Sequence, residues 1–232
     1  MAEVTRKELL LALIGAGEHP RLSGLDLSEL DLSEIDLRNA NLRNTKLSRA
    51  DLSLADLSEA VVAGAVLIEA NLSRAKLVKA DLSGADLTGA NLKEAVLNVC
   101  TLNGANLANA RLTFAKLSEA IANEAHLRNA NFNGANLTFA KLAGCDFTSA
   151  NLSGADLSGA DLRRSDLRGA DLSYANLSNA DLSQAFISGA NFTGANLRGV
   201  YHSEVALNDA LLTGAILPDG SRFGGEPVVT IR

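Results

Sequence analysis

The chain has 232 residues, a formal net charge of −6, 47% hydrophobic residues and only 4% aromatic ones, with no Trp. That length allows one or two domains with a sizeable core, but an apolar half built almost wholly of Ala and Leu excludes an ordinary aromatic-filled interior and points to many copies of one small packing unit. The charge argues against a phosphate-gripping basic surface, two cysteines exclude a disulfide scaffold, and the longest apolar run, Leu9 to Ile14, is too short for a membrane span or a signal-peptide core. A soluble cytoplasmic protein is expected.

Taken in chain order, residues 1–19 read as a capping helix. Thr5 and Glu8 stand at capping-box spacing, Leu9, Leu10, Leu11, Leu13 and Ile14 follow, and Gly15 and Gly17 close the segment. Gly15-Ala16-Gly17 is not a dinucleotide fingerprint, since the third glycine and the preceding strand are missing. The next apolar residues, Leu25, Leu30 and Ile35, overfill a column that later holds Ala, so the helix is expected to lie across an open end. A partner-binding or membrane-surface helix is the functional alternative.

From residue 20 to 217 the sequence repeats every five residues without an insertion. Of 40 quintet centres from Leu22 to Leu217, 33 are Leu and three are Phe (Phe132, Phe147 and Phe192), the rest being Val62, Ala122, Ile187 and His202. Ala stands two residues before the centre in 30 quintets, Asp or Asn one before it in 23, and Gly two after it in 14. A helix would rotate successive centres by about 140°, and a strand would alternate them between faces, so neither fits. The chain must turn once per quintet. Gly two after the centre suits the φ > 0 site of a type II turn, and Asp, Asn and Ser supply local hydrogen bonds. Four corners close a square coil of about 20 residues, and ten coils at the sheet spacing make a rod of about 48 Å.

This Ala–Asp/Asn–Leu–X–X pattern, cleanest at 80–92 (ADLSGADLTGANL) and 150–162 (ANLSGADLSGADL), resembles the pentapeptide-repeat proteins, and cyanobacterial members most of all. The resemblance implies an all-β fold, a right-handed quadrilateral β-helix with Leu and Ala inward and Asp/Asn outward. It also implies a non-catalytic scaffold that acts by protein contact. Other members of the family mimic DNA and bind type II topoisomerases, giving gyrase inhibition or quinolone protection, and this is the alternative. Duplex DNA carries one charge per about 1.7 Å, whereas −6 over this rod is one per about 8 Å. Charge pattern becomes geometry at a spacing of twenty. Asp26 meets Lys46, Glu29 meets Arg49 and then Glu69, Asp56 meets Lys76, Glu59 meets Lys79, Arg74 meets Glu94 and Lys141 meets Asp161. Four like-charge steps are left over: Asp31–Asp51, Asp36–Asp56, Asp146–Asp166 and Asp161–Asp181.

Two sets of outward residues are candidate partner contacts. Val61, Thr101 and Ile121 form a stripe on the face whose centres include Val62, Ala122 and His202; Leu54, Phe114 and Tyr174 share one corner, and Phe139 shares the next with Val99. Toward the end the outward column turns apolar at Tyr201, Ala206, Leu211 and Ile216. Either the tail 218–232, with Val228, Val229 and Ile231 as a strand, covers these, or they pair two subunits, so the chain is a monomer or a homodimer through this end. No catalytic, cofactor or metal site is expected. His126 over Asp146 lacks a nucleophile, His202 is a core position, and Cys100 and Cys145 fill inward Ala sites about 10 Å apart, beyond disulfide reach. Neither nucleic acid nor membrane is an expected partner.

Overall fold

The computed structural model describes residues 5–16, 19–203, 205 and 207–224. Its body is a coil in which the residues before the quintet centres pair in parallel with the residues twenty further on, from Arg21 with Asn41 to Asp181 with Tyr201, and again at Asn191 with Leu211 and Asn196 with Ile216. Four quintets therefore make one turn. Among the described residues no paired run exceeds a single residue, so the sheet expected from stacking is four ladders of isolated bridges. The reason is spacing: each corner takes two of every five residues, and too little straight chain remains for a strand.

The quintet is self-sufficient in hydrogen bonds, as residues 151–155 illustrate. Asn151 N–H donates to the Ala130 carbonyl in the coil before (2.9 Å), while Leu152 and Gly154 donate to Asp171 and Ser173 in the coil after (2.7 and 2.8 Å). Ala155 N–H closes the turn on the Leu152 carbonyl (3.0 Å), and Ser153 N–H is taken by Asn151 Oδ1 (2.9 Å). Every N–H is thus satisfied. The last bond explains the Asp/Asn column. A short side-chain acceptor two residues before a corner amide is an Asx turn, and it recurs at Asp51, Asp81, Asp156 and Asp171.

Leu centres and their Ala neighbours point inward and are buried along the rod. Thr45, Ser165 and Cys145, which replace Ala there, each find a carbonyl: Thr45 Oγ1 donates to Leu22 (3.0 Å), Ser165 Oγ to Leu162 (2.7 Å) and Cys145 Sγ to Ala122 (2.8 Å). The odd centres are packing choices. Ala122 and Phe132 are centres of opposite sides of one coil, both buried, so a small residue faces a large one. Phe132 also meets Phe147 edge to face, with centroids 5.9 Å apart.

At one end lies α1, Arg6–Ala16, begun by the Thr5–Glu8 capping box: Thr5 N–H donates to Glu8 Oε2 (2.8 Å) and Glu8 N–H to Thr5 Oγ1 (3.3 Å). Leu9 is 1% exposed and joins the core, with Leu13, Leu25 and Leu30 packed beside it, whereas Leu11 is 61% exposed. Arg6 hydrogen-bonds the carbonyls of Asp31 and Ser33, and pairs with the Asp31 carboxylate at 2.8 Å. Those two carbonyls are the ones a preceding coil would have used. The side chains of Leu10 and Ile14, together with Gly17, lie outside what is described.

Near the other end the five-residue register, unbroken in the sequence, breaks in space. A 3-10 turn, Leu207–Asp209, replaces the corner, and Gly189 N–H reaches Asp209 rather than residue 208. Half-buried His202 stands where Leu would fill the bore, and Asp209 lacks the positive φ of the other corners, so neither packing nor turn holds the regular coil. Beyond Leu217 the chain reverses through Gly220 (φ 86°) and runs antiparallel, Ile216 bridging Arg222. Ala206 and the expected tail strand, Val228, Val229 and Ile231, lie outside the described residues.

Candidate interaction surface

Every regular corner places its second residue at positive φ: besides 14 glycines in the coils, positions such as Phe114 (57°), Phe139 (56°) and Tyr174 (58°) do so, and even β-branched Val99 (60°). Such a conformation disfavours any side chain bearing a Cβ, and a corner side chain is thrown outward by it. Three of the exposed rings then lie over glycines one coil on. A Cβ built on Gly134 would meet the Phe114 ring at 2.6 Å, on Gly159 the Phe139 ring at 2.5 Å and on Gly194 the Tyr174 ring at 2.7 Å. Each glycine makes room for the ring below it.

One ring face covers backbone and the other is open: Phe114, Phe139 and Tyr174 are 58%, 65% and 73% exposed. Phe114 and Tyr174 share a corner three coils apart, about 14 Å by the sheet spacing. Phe139 stands at the neighbouring corner, on the far edge of the same side. Between them the outward residues from 116 to 178 on that side are Lys116, Ser118, Asn136, Thr138, Asp156, Ser158, Asn176 and Ser178, with two opposite charges. Ser118 and Thr138 hydroxyls share a hydrogen bond of 2.8 Å. Leu54 is on the Phe114 corner but faces a more charged neighbourhood that includes Arg74 and Glu94. The Val61, Thr101 and Ile121 stripe is only half-buried ladder surface and presents no large exposed group. At the end, Tyr201 and Leu211 are exposed and Ile216 is half-buried under the returning chain.

Many of the charges are paired with one another. The expected pairs Asp26–Lys46 (4.0 Å), Glu29–Arg49 (3.2 Å), Arg49–Glu69 (3.4 Å), Asp56–Lys76 (3.7 Å) and Arg74–Glu94 (2.8 Å) form, whereas Glu59–Lys79 and Lys141–Asp161 do not come within ion-pair distance. Sequence reasoning missed a second pattern, Asp-x-Arg across one centre. Arg38 holds Asp36 (2.7 Å), Arg163 holds Asp161 (2.6 Å) and Arg168 holds Asp166 (2.5 Å). The residues before and after an inward Leu both point outward, which brings them together. These arginines hold the Asp36, Asp161 and Asp166 carboxyls below the ordinary carboxylate range. At Asp146 burial opposes ionisation, but the Thr148 hydrogen bonds and Arg128 outweigh it. With Asn71 donating to Asp51 (2.9 Å) and Arg6 on Asp31, each like-charge step has at least one partner.

Among the described residues no His, Cys, Asp and Glu group could hold a metal ion, and no helix is long and apolar enough to cross a membrane. Asp146, beneath His126 in the ladder, pairs with Arg128 (3.0 Å). Burial pushes the Cys100 and Cys145 thiols up to about 12, so neither is a nucleophile in the folded rod.

A family model described as pentapeptide repeats matches in eight copies, over residues 21–58, 55–93, 80–113, 90–129, 110–148, 150–189 and 190–219. Among solved structures the chain is similar to HetL, a pentapeptide repeat protein involved in heterocyst differentiation regulation from the cyanobacterium Nostoc sp. strain PCC 7120. The identity is 36% with a TM-score of 0.74, covering 95% of this chain and 100% of that one. It is also similar to QnrB1 in a trypsin-treated form, a plasmid-mediated fluoroquinolone resistance protein, at 22% identity and a TM-score of 0.55, covering 80% of this chain and 91% of that one. The second likeness bears on fold alone. Comparison with curated proteins gave no match. These neighbours imply a right-handed quadrilateral β-helix, supplying the handedness that turn counting left open.

Proposed function

The chain belongs to the pentapeptide-repeat family, and from that membership we propose that it is a non-catalytic regulatory scaffold of the cytoplasm, acting by contact with a protein partner. One observation carries the reading. Phe114, Phe139 and Tyr174 are held in fixed positions over glycines, with their outer faces bare, around a side of the rod that is nearly free of charge. Aromatic anchors within a charge-depleted patch are the composition of an interface core. The similarity to HetL over almost its whole length agrees with a regulatory role.

The DNA-mimicking alternative finds less support. It needs an unneutralised acidic surface, and here the like-charge steps carry Arg or Asn partners. Two measurements test the choice. Phe114→Ser, Phe139→Ser and Tyr174→Ser together should abolish capture of a protein that the unaltered rod retains, while leaving its circular dichroism unchanged. The same partner retained at equal strength would rule out this side. Micromolar protein should leave gyrase supercoiling untouched, and inhibition or drug protection would favour the alternative.

A further inference from the structure

The side of the rod that carries the three rings changes chemistry toward α1. Its corner amides, one per coil, are the groups that the stacked coils leave to a side chain. Of the nine from Arg38 to Arg198, seven have such a partner. In six the Asp or Asn two residues before takes the N–H at 3.0–3.2 Å, as Asp56 does for Ser58 and Asp156 for Ser158. At Ser118 the acceptor is Asn98 Oδ1 in the coil before (3.1 Å). Val78 and Asn98, in successive coils, are the other two, and among the described residues their N–H groups have no acceptor. The cause is in the sequence: Lys76 and Val96 stand where the capping Asp would be.

The charge around this pair of donors is positive. Lys79 lies at the adjoining corner and Lys116 follows Val96 on the ladder, and among the described residues neither is in an ion pair. Lys76 reaches Asp56 (3.7 Å), and at the opposite edge Arg74 and Lys93 share Glu94 (2.8 and 3.6 Å). From residue 74 to 119 this side and its two edges thus carry five cations against Glu94 and Glu119, on a chain of net charge −6. Ser48 and Ile68 make a second bare pair on another side, but the cations beside them, Arg43, Lys46 and Arg49, all have carboxylates of their own.

We propose that the Val78 and Asn98 amides, with Lys79 and Lys116, receive the carboxylates of an acidic segment of the protein partner, an inference that rests on the reading of the rings as its contact surface. Elsewhere on this side the rod caps such an amide with its own Asp or Asn. Here the cap comes from outside, and the unpaired lysines balance its charge. Val78 and Tyr174 are about five coils, or 24 Å, apart along the axis, which an extended segment of about seven residues spans. Such a segment lays carboxylates on the amides and apolar side chains on Phe114, Phe139 and Tyr174.

Two peptide probes test this on the full chain. An octapeptide of alternating Asp and Ser, which offers the rings nothing, should shift the Val78 and Asn98 amide resonances, whereas its Asn-Ser counterpart should not. Val96→Asn installs the cap that Asn136 supplies to Thr138, and should weaken the Asp peptide about tenfold with circular dichroism unchanged. Lys79→Gln with Lys116→Gln should weaken it too and flatten its salt dependence. An Asp peptide that leaves both amides unmoved, or that binds the Val96→Asn rod equally well, overturns the proposal. So does single-stranded oligothymidylate that moves the same amides at lower concentration, because the site then takes nucleic acid. Extending the Asp peptide with alternating Leu and Ser should tighten it, and Phe114→Ser, Phe139→Ser and Tyr174→Ser together should remove that gain. An Asp peptide that binds as expected but gains nothing from the extension supports the amide site and counts against the rings alone.

Discussion

The two ends of the rod face the same problem with different means. At the first coil a separate helix lays Leu9 against the bore, and one arginine, Arg6, takes two carbonyls that have no coil beneath them. At the last coil the chain only doubles back, leaving Phe223 partly exposed and a cavity inside the rim. The difference teaches where repetition stops being sufficient. Within the rod each quintet finds its partners in the coils before and after, so any quintet resembles any other. At an end those partners are missing, and the sequence must become individual.

The sharpest way to break the comparison is at the helix. Leu9→Ala should lower unfolding free energy by about 2–5 kcal/mol, the range for a buried Leu truncation, in urea titrations. Phe223→Ala should lower it by clearly less, and an equal loss would mean that the ends are closed equally well. A corner in the middle gives the next scale. Gly159→Ala puts a Cβ at positive φ against the Phe139 ring and should destabilise by about 1–2 kcal/mol from the backbone alone. In a Phe139→Ala background the part due to the ring should vanish from the double-mutant cycle. Arg6→Ala should be milder, about 0.5–1.5 kcal/mol, because its bonds are partly solvated.

The smallest effect concerns acid. Asp31 and Asp219 sit near opposite ends, and their carboxyls are held below the ordinary 3.8, first of all by the Ser33 and Ser221 hydroxyls. A depressed carboxyl contributes stability that is complete above its unfolded value and lost as pH falls through the folded one. Exchange of the Ser33 and Ser221 amides, corrected for intrinsic rate, should therefore be flat from pH 8 to about 5 and accelerate below about 4. Asn at both positions keeps an acceptor and should flatten that response.

The square coil was legible because its signal is one-dimensional: Leu every fifth residue admits no other geometry, and counting to twenty brings Glu29, Arg49 and Glu69 together. What escaped depends on where side chains lean. That Phe139 rests over Gly159 follows from the outward throw of a left-handed corner, which spacing does not encode. Arg163 meets Asp161 because two outward side chains flank one inward Leu. The break at Leu207–Asp209 was invisible, since the letters there keep the five-residue beat while His202 no longer fills its place.

The closure of every quintet's hydrogen bonds by its neighbours makes the rod a ruler with an angular scale. Removing twenty residues from its regular part would shorten it by one rung, about 4.8 Å, and leave every ring pointing where it did. Removing five would swing everything beyond the cut through a quarter turn. Distance along the axis and direction around it can thus be altered independently, in fixed steps, without rebuilding the core.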